Sequence, residues 1–259
     1  MSRALVHLNL WVLGALVVVG IPLMTVVVQA VIRRLAPGIV EGEHNEVAGF
    51  LIAVVGVVYA VTLAFIVIVT WEEHREARDT VNREAGGLRS LYLGSQALPD
   101  PSRARMSELV IQYGQEIVDE EWAAMDDGGS SRAASDLIGE MFATLRGVAT
   151  TTPTQETFLA DALVRLNEVA DDRALRITMA EEGQVSILWA AIILGGILTV
   201  GFALLFGVAN ERLHYLMVGG FAAVLALQIL VILVLSHPFS GDARVTPRPL
   251  EDVVRDFGR

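Results

Sequence analysis

Four long apolar segments, separated by polar stretches of very unequal length, set the plan of this chain of 259 residues. Residues 47–71, VAGFLIAVVGVVYAVTLAFIVIVTW, carry no charge. At a rise of about 1.5 Å per residue they are long enough to cross a hydrocarbon core roughly 30 Å thick. At roughly 100° per residue, Gly49, Ala53, Gly56, Ala60 and Ala64 share one side, bordered by Tyr59 and Thr70. Leu51, Val54, Val58, Val61, Phe65 and Val69 take the other. A helix that meets only lipid has no need of this division; one that packs closely on another helix, or lines a narrow path, does. Both readings stay open on the stripe alone.

Residues 8–32 form a first span interrupted by Gly14, Gly20 and Pro22, with a kink expected at the proline. A cleaved signal peptide is the competing reading, but the apolar run is longer than the usual one and Arg33-Arg34 follows at once. Residues 185–209 and 213–236 are the third and fourth spans. No Asp, Glu, Arg or Lys falls within any of the four.

Beyond Trp71 the polarity changes abruptly, yet Ala77, Val81, Ala85, Leu88 and Leu91 keep helical spacing, so the span continues as one long helix. Pro99-Asp100-Pro101-Ser102 ends it. Further amphipathic helices are expected over 103–125, 133–149 and 155–183. The predicted fold is an all-α integral membrane protein: four transmembrane helices with a cytoplasmic helical bundle inserted between the second and third. The divisions are a hairpin over 1–71, a four-helix domain over 72–184, a second hairpin over 185–236 and a tail over 237–259. In the tail, Pro238 stops the span and Gly241 permits a turn. Phe239 is expected as an aromatic anchor at the membrane surface, with a loose tail as the alternative.

Arginines near the membrane ends are more numerous on the side holding both termini and the bundle. Arg3, Arg75, Arg78, Arg83, Arg89, Arg173, Arg176, Arg244 and Arg248 stand against Arg33, Arg34 and Arg212 on the other. This places both termini and the bundle in the cytoplasm.

A hydrophobic fraction of 53% agrees with a membrane protein. The absence of cysteine removes disulfides and thiol chemistry. A net charge of -11 argues against nucleic-acid binding. The five histidines have no ligand spacing, and no nucleotide or acyl-transfer motif occurs. Asp119-Glu120-Glu121 reads as a solvated face. No catalytic residue, cofactor or metal is expected, and an enzyme is the least supported class. Pumps generally hold the coupling charge on an intramembrane ionisable group; spans without one favour a passive conduit, or a structural protein.

Several stretches resemble a family of bacterial membrane proteins described as bestrophin-like. They are NEVAGFLIAVVGVVYAVTLAF at the second span, LNEVADDRALRI before the third, Trp189 with the glycine run after it, and the fourth span with its HPFSG tail. The resemblance covers nearly the whole chain. True bestrophins, to which the link is weaker, are oligomeric anion channels with a hydrophobic neck on the second span. The aromatic ladder of that neck is not evident here, and Gln184-Val185-Ser186 stands where the family pattern has a proline.

The expected function is therefore an oligomeric bestrophin-like ion channel, passive, with the second span lining the path through Gly49, Ala53, Gly56, Tyr59, Ala60 and Leu63. Glu41, Glu43 and Glu46 would form acidic rings at the mouth and give a weak cation preference. The expected partners are the lipid bilayer, further copies of this chain and inorganic ions. Five subunits would match true bestrophins. The alternative is a membrane scaffold or sensor whose bundle binds a protein.

Overall fold

The computed structural model describes residues 9–35, 45–181, 186–206, 208 and 210–258. Among them every regular element is helical, and the chain divides into two compact units.

The first unit comprises residues 1–73, 184–237 and 241–243. It contains α1 (Leu10–Val18), α2 (Gly20–Leu35), the first half of α3 (Asn45–Ser95), α8 (Ser186–Leu204) and α9 (Glu211–Leu235). Four stretches, Leu10–Leu35, part of Asn45–Ser95, Ile187–Leu204 and Glu211–Leu235, are long and apolar enough to cross a membrane. The first is interrupted at Val19. Pro22 has no N–H to offer the Val18 carbonyl four residues back, and its ring crowds that oxygen. The flanking bonds survive: Val19 N–H donates to Ala15 O at 3.0 Å and Leu23 N–H to Val19 O at 3.0 Å. At the start of α1, Asn9 caps Trp11 N–H and the Asp242 carboxylate accepts from Leu10 N–H at 2.8 Å. α9 packs against α1, α2 and α8. The core joins Leu13 and Val17 to Tyr59, Leu63, Ile66, Trp189, Ile192 and Ala226.

The second unit comprises residues 74–183, 238–240 and 244–259. The second half of α3 is joined there by α4 (Ser102–Glu116), a π turn (Ile117–Glu121), α5 (Trp122–Asp126), α6 (Arg132–Arg146), α7 (Pro153–Glu181) and α10 (Arg248–Phe257). α3 is unbroken through Trp71, because nothing between 72 and 94 withdraws a backbone donor or forces a turn. Gly128, at φ 75°, reverses the chain after α5. Pro153 opens α7 behind Thr152, whose hydroxyl accepts from Gln155 N–H at 3.2 Å.

The π turn has a consequence for packing. At a constant 100° per residue Trp122 would lie about 180° from Tyr113, on the wrong side of the helix. The wider turn rotates Trp122 and Met125 back to the face that buries Met106, Leu109 and Tyr113.

The tail differs from both sequence expectations. Phe239 is 1% exposed and belongs to the core of the second unit, so it is not an interfacial anchor. α10 docks through Leu250 and Val253, stacks Phe257 on Tyr92 at 4.1 Å and pairs Asp256 with Arg89 at 2.8 Å. Only a glycine at 114 admits it, since a Cβ there would sit 2.7 Å from Val254 Cγ2.

Candidate functional site

The second span presents two faces within its own subunit. Tyr59, Leu63, Ile66 and Thr70 are buried, whereas Ala53, Ala60 and Ala64 are exposed. Tyr59 donates its hydroxyl to Ile192 O at 2.7 Å. Its ring lies where side chains at 195 and 196 would be: a Cβ on Gly195 would be 2.6 Å from the ring, and one on Gly196 3.0 Å from the hydroxyl. The close helix packing of this span is therefore made by glycines of α8 around a tyrosine, not by its own small residues. Gly195→Ala forces the ring or α8 to move and is expected to cost roughly 1–3 kcal/mol. Adding Tyr59→Ala should restore part of the loss; melting of the full chain in detergent reads both.

Of the residues expected to line a path, Tyr59 and Leu63 are thus turned into the subunit. Gly49 abuts Phe206, with a Cβ there 3.7 Å from its ring, while Gly56 has nothing within 4 Å. Glu46 is exposed in the first turn of α3. Glu41 and Glu43 lie outside the described residues.

Arg33 sits in the last turn of α2 and points inward. Its Nη2 donates to His214 Nδ1 at 2.8 Å and to Val208 O at 3.1 Å, and Nη1 pairs with Glu211 at 3.3 Å. Gln29, one turn earlier on α2, is 1% exposed, and neither of its amide atoms has a partner.

The second unit encloses a network of four charges. Arg176 and Glu84 are fully buried, as is Glu121; Arg173 is nearly so. Arg176 donates to Glu84 Oε2 at 2.6 Å and to Glu121 Oε1 at 2.9 Å, and Tyr113 donates to Glu84 at 2.7 Å. Arg173 binds the other side of Glu121 and gives Nη2 to Ser131 O at 2.8 Å. Two arginines against two glutamates leave no net charge, which is what lets the set be buried. The Glu121 reading as part of a solvated face is corrected here: the π turn carries it inward.

Burial favours the neutral acid at Glu121, but the hydrogen bond from Arg173 and the charges of Arg176 and Arg173 outweigh it and hold the carboxyl below its ordinary 4.5. Burial and the Glu84 carboxylate push the Tyr113 hydroxyl well up, keeping it a donor. For an acid whose folded pKa is depressed, the stabilisation is complete above the unfolded value and disappears as pH falls through the folded one. Acid melting of the second unit should begin below about pH 4.5 and shift upward in Arg173→Leu, as circular dichroism against pH would show.

Two of the stretches that carry the sequence resemblance meet at one tryptophan. LNEVADDRALRI supplies Arg173 and Arg176, and Arg176 lies over the Trp122 ring at 5.3 Å. HPFSG supplies Phe239, edge-on to the same ring at 5.8 Å, and Ser240, whose hydroxyl donates to Asp126 O at 2.9 Å. Nothing in one dimension announces that meeting. The one available signal was an arginine pair three residues apart among apolar positions of α7. Among the described residues no cluster of His, Asp or Glu has the makings of a metal site.

An all-helical body with four long apolar helices defines a multi-span membrane protein. A family model for the Bestrophin-like domain matches residues 19–250, and the chain belongs to that family. Solved structures share the fold. One crystal structure of a membrane protein matches with a TM-score of 0.65 and 13% identity, over 93% of this chain and 97% of that one. A second membrane protein gives 0.61 and 16%, over 92% and 94%. A mutant of a bacterial bestrophin homologue from Klebsiella pneumoniae gives 0.57 and 14%, over 94% and 96%. No curated protein matches in sequence.

Proposed function

We propose that the protein is a homo-oligomeric, passive ion channel, with α3 of each subunit lining the path along Ala53, Gly56, Ala60 and Ala64. The observation that carries this reading is the exposed strip of small residues. Ala53, Ala60 and Ala64 are left uncovered while Tyr59, Leu63, Ile66 and Thr70 of the same helix are buried, and small residues allow close approach around an axis. Similarity to a bacterial bestrophin homologue supports it, since true bestrophins are oligomeric channels. Five subunits would match true bestrophins. The arginine distribution supports a cytoplasmic second unit and cytoplasmic termini.

The path is proposed to prefer cations weakly. Glu46, repeated around an axis, forms a carboxylate ring at the start of α3, and Glu41 and Glu43 precede it in the sequence; such rings concentrate cations. In planar bilayers the full-length protein should conduct, and Ala60→Trp should abolish the current by filling the path. Glu46→Gln should move the reversal potential in asymmetric salt toward the anion. A silent wild type would sink the channel, and a chloride-selective one the cation preference.

A scaffold or sensor is the second reading. It is favoured by an acidic cleft of about 530 Å³ in the second unit, between Glu116, Asp119, Glu120, Asp136 and Glu140. A monomer in nanodiscs that conducts nothing would support it.

A further inference from the structure

α3 is one unbroken helix from Asn45 to Ser95, and its buried side keeps one bearing throughout. At roughly 100° per residue, Tyr59, Ile66 and Thr70 before Trp71 and Ala77, Glu84 and Leu88 after it fall within an arc of about 40°. All of them are buried. The face that carries Ala53, Ala60 and Ala64 therefore holds its bearing too as the helix leaves the apolar run. Arg78 comes about five whole turns after Ala60, roughly 27 Å along the same line. Arg75 stands about 60° to one side of that line. Both arginines are exposed.

The charges of this stretch are sorted by sign around the helix. At roughly 100° per residue, the carboxylates Glu72, Glu73, Glu76 and Asp79 all lie about 100° or more from Arg78. Arginines kept only to fix orientation need to be near the membrane end; they have no reason to take the bearing of the alanines. Those further along α3 are neutralised within the subunit. Arg83 pairs with Glu76 and Asp172, both at 3.0 Å, and Arg89 pairs with Asp256 at 2.8 Å. Arg75 meets only Asp79, at 3.7 Å, and Arg78 has no carboxylate partner among the described residues.

We propose that Arg78, flanked by Arg75, forms a guanidinium ring around the oligomer axis where α3 leaves the apolar run, and that this ring binds a polyvalent oxyanion of the phosphate class. The inference rests on the proposed oligomer, in which the strip through Ala60 faces the axis. Symmetry then brings one unpaired Arg78 from each copy toward the same point, and their summed field focuses on a polyanion there. Arginine suits phosphoryl oxygens because its planar fork offers paired donors. Rings of arginine favour anions as rings of carboxylate favour cations. The Arg78 ring thus opposes the Glu46 ring at the start of the same helix, which keeps the cation preference weak.

The chain has no cysteine, so single-cysteine variants report the proximity of copies directly. In phosphatidylcholine vesicles, copper-phenanthroline oxidation should link Ala60→Cys and Arg78→Cys into dimers several-fold faster than Glu76→Cys. Glu76 is exposed within one turn of Arg78 but lies about 160° around the helix from it. Pyrophosphate should bind the wild-type chain in nanodiscs, read by isothermal titration calorimetry, and Arg78→Gln should weaken it roughly tenfold or more. Arg146→Gln, which removes an exposed arginine of α6, should leave binding unchanged. Phosphatidylglycerol in the nanodisc should not compete; competition would assign the arginines to a lipid headgroup and overturn the axial site. Linkage of Ala60→Cys without Arg78→Cys would overturn the ring and leave the oligomeric path standing. Failure of both would remove the path, and the ring with it. Pyrophosphate binding that is absent from the wild type, or that Arg146→Gln weakens as much as Arg78→Gln, would overturn the oxyanion site.

Discussion

Replacing Arg176 with leucine is expected to destabilise the second unit by roughly 3–5 kcal/mol, because it leaves the buried Glu84 carboxylate without a cation. Glu84 keeps only the Tyr113 hydroxyl, and Glu121 keeps Arg173 and the Ser131 N–H. The size of the effect comes from the uncompensated charge, not from any large net value of the intact pairs. Desolvation consumes most of what their attraction supplies. A double variant, Arg176→Leu with Glu84→Gln, should therefore be more stable than Arg176→Leu alone. Arg165→Ala is the matched surface control. Arg165 pairs with Asp161 and Glu168 in the open, at 40% side-chain exposure, and its loss should cost at most about 1 kcal/mol. Chemical denaturation of the full chain, followed by protease sensitivity near Gly128, separates the three variants. Equal midpoints for Arg176→Leu and Arg165→Ala would show that the network is not closed.

Phe239→Ala should be nearly as damaging, about 3–5 kcal/mol. The side chain is 1% exposed, and its removal leaves a cavity against Trp122, the ring that also carries Arg176. Hydrogen exchange should rise in α5 and in the part of α7 around Arg173, with little change in α8 and α9. Phe239→Leu keeps most of the volume and should recover more than half of the loss. A residue anchored at the membrane surface would behave otherwise, with exchange in the second unit unchanged.

The spans and the long α3, with its end before Pro99, were legible along the chain. Each depends on residues within a few positions of one another: an uncharged apolar run, a helical period, a proline. The same locality explains why the interruption at Val19 follows from Pro22. What the chain alone did not disclose is where polar side chains are satisfied. Glu121 belongs to an acidic triplet, and only the π turn, which adds a residue to one helical turn, sends it inward. Arg33 closes an apolar span, and its inward course requires His214, which lies 181 residues away. Phe239 follows a membrane helix, so its sequence neighbours point to lipid, yet Trp122 covers it. In the second span the small residues suggested the packed face, but the glycines of α8 determined which face is packed. A helix records the side chains it presents in its own period; which of them meet a partner is decided by the helices that dock on it, and that pairing acts over distances the period does not encode.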